Sequence, residues 1–563
     1  MERLDRLLAS ALGEEPADTV LSGCTLFDPF DCSWEETSVA ITDGIVTGVG
    51  DYPGAERVEL NGARVVPGLV DAHVHVESSL LVPPEFARAV LPHGTTTVIA
   101  DPHEIANVAG TRGLEYLLEA ASRTPLDILF MLPSCVPSTP ADPGGAVLSA
   151  SDLQAFAGRK GVIGLGEMMN VPGVLAGDEE IRRKIGLFGI RDGHAPGLSG
   201  KPLNAYLLAG LQSDHECTTL AEAREKLRRG MFIMIREGST ERNLEDLLPL
   251  VTPCTAGRCS FATDDRHADL LAGPGHIDDC IRRAAALGLD PDLALRMATL
   301  SPCERFGLAD RGAIVPGRIA DLCILDEGEE FRVRETWKRG TPVGRIPYRK
   351  PEILRTPFAF TLPDAAMLRI RGSGEARVIG LVPGQVATRH LKFPVGKDGI
   401  PDTGRDLLKA VSCDRYGRGG AGVGIVHGFG LASGAIASSV SHDAHNIIAV
   451  GASDAEILRA IREVAASDGG MAAVAGDRAT VLPLECAGLM SAAPFEEVAG
   501  LLGDLGETVA SLGGVPDSFM YLSFLSLPVI PELRITPRGL FDAVAFRPVD
   551  LFVADKPEPE KSR

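Results

Sequence analysis

VVPGLVDAHVHV (residues 65–76) leads into PPEFARAVLPHG (83–94) and then TTTVIADP (95–102) and IANVAGTRGLEYLLEAASR (105–123). An apolar run, a polar or glycine-bearing break and an amphipathic stretch succeed one another, and that rhythm predicts a strand followed by a helix. It continues through LDILFMLPS (126–134), VIGLGEMM (162–169), FGIRDGHAP (188–196), LLAGLQSDHE (207–216), MFIMIREGS (231–239) and CSFATDD (259–265). Most of these runs are followed by helical patterns such as LAEAREKLRRG (220–230) and HIDDCIRRAAALG (276–288). Eight units over roughly 240 residues match a (β/α)8 TIM-like barrel in number and size, whereas a doubly wound sheet usually stops at about five to seven strands.

Outward from this block the rhythm changes. Short β segments precede it (DTVLSGCTLFD, SVAITDGIVTGVG, RVELNGARVV), with Asp43-Gly44 as a hairpin signal, and similar segments follow it (GAIVPGRIADLCILDE, FRVRETWKRGTPV). The chain therefore reads as an α/β protein with a split small β domain (1–66 plus 312–346) around a barrel at 67–311. A proline-bearing linker at 347–364, a C-terminal α/β domain at 365–555 and a disordered tail at 556–563 complete the division.

Composition narrows the function classes. The chain has 563 residues, 55 Lys and Arg against 76 Asp and Glu, and a net charge of −21. A surface that tracks phosphates concentrates basic residues, so no nucleic-acid partner is expected. Eleven cysteines without a CxxC pair suit free thiols in a reducing compartment. Glu2 and Asp5 stand where a signal peptide would be basic, and Leu4, Leu7, Leu8 and Leu12 fit a short amphipathic helix. The longest uncharged run, 419–441, carries seven Gly and four Ser, a poor membrane span. A cytoplasmic protein with no membrane segment is the expectation.

The histidines mark the chemistry. In a barrel of this type, side chains at the C-terminal ends of the strands converge on one face. His73 and His75 lie two apart in an extended segment and share one side of it, as a pair of metal ligands would. Such an HxH pair is often structural when it stands alone. Here Glu167, His194, His215 and Asp264 stand at matching ends of strands four, five, six and eight. Each has a bland alternative as a helix cap or loop residue; six nitrogen and carboxylate donors at one end of five strands point instead to a divalent-cation centre. Two ions held by four imidazoles and bridged by a carboxylate would acidify a shared water to a pKa of ~7. Asp264 is then the acid/base candidate.

These residues resemble the adenine deaminase family of the amidohydrolase superfamily. The likeness runs through PGLVDAHVHVESS (67–79), HGTTTVIADPHEIANV (93–108), GLGEMMNVPGVL (164–175), DGHAPGLSG (192–200), SDHECTT (213–219), MIREGS (234–239), ATDDRH (262–267) and GAIVPGRIADLCILD (312–326). It continues at SVSHDAHNIIAVG (439–451) and LPLECAGLMS (482–491). The resemblance implies hydrolysis of adenine to hypoxanthine and ammonia, in purine salvage or catabolism, by a metal-bridged hydroxide that attacks C6. It also implies two Mn2+ or Fe2+ ions, with Zn2+ compatible, and a homodimer. By position, His73, His75, Glu167, His194, His215 and Asp264 resemble the family's ligands. Glu167 takes the bridging place that a carboxylated Lys fills in many relatives, and GLGEMM contains no Lys.

Other polar residues are open. His103 and Glu104 could touch a metal, a third one included, or the purine, or could cap the next helix. Glu77 and Ser78 could contact substrate or tie down their loop. Arg236 and Glu237 could hydrogen-bond purine ring atoms or form an internal ion pair. Ser441, His442, Asp443 and His445 could reach over the barrel mouth as substrate-binding groups or form a surface loop. The HxE at 75–77 lacks the PCxxC partner of cytidine-type zinc deaminases, and no GxGxxG or P-loop occurs. The rival readings are an amidohydrolase acting on another cyclic amidine or amide, and a non-catalytic homologue, which would have lost ligands.

Overall fold

A computed structural model describes residues 2–328, 330–356, 358–397 and 399–553; the expected disordered tail lies outside the described residues. Each of the eight central units forms a parallel strand: β1 Leu69–Val74, β2 Thr95–Ala100, β3 Asp127–Leu132, β4 Val162–Met168, β5 Arg191–Gly193, β6 Ser213–Asp214, β7 Phe232–Arg236 and β8 Cys259–Ala262. Most of their residues are buried, β2 and β8 entirely, as parallel strands covered by helices must be.

The strands form two hydrogen-bonded sheets, β5-β4-β3-β2-β1 and β6-β7-β8, that curl together. On one side β8 meets β1: Asp264 N–H donates to His73 C=O (3.0 Å) and His75 N–H donates to Asp264 C=O (3.0 Å). On the other side β5 and β6 approach without a backbone ladder. Arg305 stitches that junction, its Nη2 reaching Arg191 C=O (2.8 Å), Asp192 Oδ1 (3.0 Å) and Ser213 Oγ (3.2 Å). Gly193 has to be glycine here, since a Cβ would lie 2.4 Å from Ser213 C=O. Ala72, Ile99, Met131, Phe232, Met234, Ala262 and Phe306 fill the space the strands enclose.

An eight-stranded sheet joins chain segments far apart in sequence. Strand Leu322–Leu325 pairs antiparallel with Arg64–Pro67, through Leu322 opposite Pro67 and Cys323 opposite Val66. Past it the described residues 343–356 and 358–373 run without regular structure, held down by Tyr116 Oη donating to Glu352 C=O (2.9 Å) and Ala487 N–H to Leu354 C=O (2.8 Å). The C-terminal region builds a mainly antiparallel eight-stranded sheet, Gly374–Leu381 to Arg478–Pro483, with helices Asp454–Ala466 and Phe495–Ser511 against it. One apolar cluster runs from Val74, Phe86 and Val98 into Ile379, Val426, Ile448 and Leu522, so the C-terminal sheet packs on the parallel strands rather than hanging from a tether. No helix among the described residues is long and apolar enough to cross a membrane.

Candidate metal centre

The strand ends assemble the site. Alternation along β1 turns both His73 and His75 inward, and their Nε2 atoms stand 3.2 Å apart with the ring planes at 88°. Asp264 Oδ1, carried next to them by the β1–β8 contact, is 3.4 Å from His73 Nε2 and 3.0 Å from His75 Nε2. Glu167, in β4, points its two oxygens at different neighbours. Oε1 lies 3.3 Å from His75 Nε2, while Oε2 lies 2.7 Å from His194 Nδ1 and 3.3 Å from His215 Nε2. All six groups are buried.

The donor set fits divalent cations. Metal–donor bonds of about 2.0–2.2 Å place neighbouring donors roughly 3.0–3.5 Å apart, the spacing seen among His73, His75 and Asp264. Two facing imidazole nitrogens can share one proton as an N–H···N hydrogen bond or turn both lone pairs to one cation, so this contact suits a shared metal ion as well as a proton. His75 Nδ1 lies 2.9 Å from Asp101 C=O, which fixes the tautomer that leaves Nε2 free to ligate. A second donor group, His194, His215 and Glu216, adjoins the first through Glu167. His194 Nε2, His215 Nδ1 and His103 Nδ1 are buried with no hydrogen-bond partner.

Charge is balanced within the cluster. Burial would raise Asp264, but the Arg236 charge and the surrounding imidazoles hold it well below the usual carboxylate range. Burial likewise opposes ionisation of Glu167, and His194 and His215 override it. Arg236 Nη1 donates to Asp264 Oδ2 (2.7 Å) and pairs with Glu216.

The structure brings most of the remaining candidates to the same cavity. His103 Nδ1 is 3.4 Å from Glu167 Oε1 and 3.4 Å from Asp101 Oδ1. Glu104 is gripped by His442 Nδ1 on one oxygen and His445 Nε2 on the other, so the 441–445 segment is no surface loop. His442 and Asp443 line the cavity, and burial pushes the Asp443 carboxyl up to about 6 against the pull of His103. His445 sits one layer back, its Nδ1 accepting from Ser441 N–H (3.2 Å).

Two candidates face elsewhere. Glu237 alternates away from Arg236, its carboxylate 3.2 Å from Arg283 Nε and accepting from Leu244 N–H (3.3 Å), outside the cavity. Glu77 accepts from Ile105 N–H (3.1 Å), tying its loop to the helix His103–Ala109. Arg236 is inside, but its fork is committed to Glu216 and Asp264 rather than open to a ring atom.

Sequence reasoning missed Asp101 and Glu216. Asp101 Oδ2 accepts from Glu167 N–H (2.8 Å), and Gly166 is required beside it because a Cβ would lie 2.1 Å from that oxygen. Both acids stand in the motifs given above, and Asp101 follows β2 directly, much as the six candidate donors stand at or just past the ends of their strands; that shared position is the available signal.

Comparison with known proteins agrees with this architecture. Residues 64–346 match the amidohydrolase family and residues 385–547 match the adenine deaminase C-terminal domain. The adenine deaminase of Methanoregula boonei is 60% identical over 550 residues, covering 97% of this chain and 98% of that one. The adenine deaminase of Methanoculleus marisnigri is 62% identical over 512 residues, covering 91% and 99%. A solved adenine deaminase structure aligns over 58% of this chain and 99% of its own, at 17% identity and a TM-score of 0.45. Near-complete coverage at such identity, with both family regions in order, settles the kinship: the chain belongs to the adenine deaminase family of the amidohydrolases.

Proposed function

We infer that the protein is an adenine deaminase, hydrolysing the C6 amine of adenine to give hypoxanthine and ammonia. The observation that carries the reading is the pair of linked donor clusters, four imidazoles with Glu167 and Asp264, facing a small buried cavity in a chain of this family. The amidohydrolase kinship implies divalent metal. We propose His73, His75 and Asp264 for one ion, His194 and His215 for the other, Glu167 between them, and Mn2+ or Fe2+ as the metals, with Zn2+ accepted by the same donors. When bound, such cations acidify water enough to supply a nucleophile at neutral pH.

The chain's own residues do the rest. Asp264, kept ionised by Arg236, accepts the proton from the attacking water and delivers it to the exocyclic nitrogen. As the water oxygen bonds to C6, the C6–N bond breaks and ammonia leaves. Asp101 and the 134 loop hold the backbone of Glu167, and Ser134 Oγ donates to Glu167 C=O. Arg236 acts by holding Asp264, and the substrate contacts are assigned to Asp443, His442 and His103. We further propose that the eight strands constitute a (β/α)8 barrel at 67–311, with a split β domain (1–66 and 312–346) and a C-terminal domain at 365–555. A homodimer in the cytoplasm completes the proposal; the cysteines are unpaired and only Cys254 is exposed, in keeping with a reducing compartment.

The test is anaerobic loading of the purified protein with Mn2+ or Fe2+ and assay of ammonia and hypoxanthine from adenine. Ammonia from another heterocycle with none from adenine would overturn the substrate assignment while keeping the aminohydrolase chemistry.

A further inference from the structure

The cavity has an apolar side that faces the donor clusters: Val386, Phe524, Leu527 and Ile530, all from the C-terminal region. Behind it lies Arg534, wholly buried at 0% exposure. Every hydrogen bond of its guanidinium ends on a main-chain carbonyl. Nε donates to Ile530 (2.7 Å), Nη1 to Phe524 (2.7 Å), and Nη2 to Val386 (2.9 Å) and Pro531 (2.8 Å). Three of those four carbonyls belong to residues that line the cavity. Burial lowers the proton affinity of the guanidinium and no acidic group offsets it.

A buried cation without a carboxylate is an expensive way to fill space, and an aliphatic side chain would pack there without dehydrating a charge. What an aliphatic side chain cannot do is hold separate main-chain segments in one register. The rigid guanidinium fork does this, since its donors have fixed directions and it stays protonated. It joins the loop at 386, the end of the helix Ser518–Phe524 and the turn at 530–531. The placement passes onward to the polar side. The Phe524 ring stacks on His442 at 4.5 Å and 9°, His442 N–H donates to Ser523 C=O (2.9 Å), and His442 grips Glu104.

We propose that Arg534 is a positioning residue that sets an apolar platform, Val386, Phe524, Leu527 and Ile530 backed against His442, on which the flat face of the heterocyclic base rests. This rests on the reading of the cavity as the site of a purine base. The platform binds substrate without touching the reacting C6 centre, so its distortion appears in KM rather than in kcat.

The test uses the metal-loaded full-length protein, with kcat, KM for adenine, metal content per chain and thermal midpoint measured together. Arg534→Lys keeps charge and bulk but loses the fork, and is expected to raise KM several-fold, with kcat within about threefold of the wild type and metal content unchanged. Phe524→Ala removes the stacking surface directly and is expected to raise KM roughly tenfold. The double variant should raise KM by no more than about the larger of the two single effects, because both act on one surface. An Arg534→Lys protein with a lowered thermal midpoint and an unmoved KM would show a merely structural arginine and overturn the proposal. So would a fall in metal content or kcat at constant KM, or an unmoved KM in Phe524→Ala. Absence of wild-type turnover of adenine would overturn the substrate reading and the platform with it, whereas wild-type turnover with unmoved KM values overturns the platform alone.

Discussion

Asp264 shows how much one residue is asked to combine. Its backbone sits in the left-handed region at φ 54°, it is hydrogen-bonded on both sides to the His73–His75 segment, and its carboxylate stands between two imidazoles and Arg236. Aspartate and asparagine adopt this backbone conformation more readily than other side chains. Asp264→Asn therefore tests the proton transfer with little backbone strain. We expect kcat for ammonia release to fall by about 10²–10⁴-fold with an unchanged circular dichroism spectrum; retention of more than about a tenth of the wild-type rate would remove Asp264 from the proton pathway. The identity of this residue was legible in the sequence because its type and its place at a strand end are both local. Its left-handed backbone was not, and neither was the commitment of Arg236 to Glu216 and Asp264, since the three residues meet only after strands six, seven and eight align.

At the scale of elements, the helices behind the strands fix the loops that carry the candidate donors. In the helix Leu220–Arg228, capped by Thr219, Lys226 is wholly buried and its Nζ donates to Ala195 C=O (2.6 Å), Asp214 Oδ2 (2.8 Å) and Glu222 Oε1 (2.6 Å). It thereby ties the residue after His194 to the residue before His215. Lys226→Met leaves Asp214 buried without its cation and is expected to destabilise the fold by about 3–5 kcal/mol. Metal analysis should show fewer ions per chain, while full occupancy at unchanged stability would contradict the role. The amphipathic pattern LAEAREKLRRG marked the helix, but its lysine reads from sequence as a solvated charge. A second helix, Ile277–Ala286, carries Asp278 in its first turn, where the helix dipole favours a carboxylate. Burial would raise Asp278, but the hydrogen bond from His93 (3.1 Å) and the charges of His93 and Arg282 bring it down to about 2. A depressed carboxylate stabilises the fold fully above its unfolded pKa of about 4, and that contribution is lost as pH falls towards 2. The stability gap between wild type and Asp278→Asn, from urea unfolding, should thus shrink by about 2 kcal/mol between pH 5 and pH 2; a gap independent of pH would refute the assignment.

For the whole molecule, the decisive fact is that the site is shared between distant parts of the chain. Glu104, in the first turn of the helix that follows β2, is held by His442 and His445 some 340 positions later, and the apolar cluster from Val74 to Leu522 has no seam between the two regions. A chain ending at residue 346 would expose that cluster and leave Glu104 without its imidazoles. We expect it to aggregate or to show no deaminase activity, and a soluble, active 1–346 fragment would overturn the view that the C-terminal region completes the site. The sequence by itself determined the strand–helix rhythm, the six donors at strand ends and the family, because periodicity, residue type and motif spacing are properties of neighbouring residues. Only the tertiary structure decided that Asp101 and Glu216 join the centre, that Glu237 and Glu77 face away from the cavity, that the 441–445 segment enters it, and that Arg534 stands behind its apolar wall. Those outcomes depend on which groups, hundreds of residues apart, must be buried together and therefore must find each other as hydrogen-bond and charge partners.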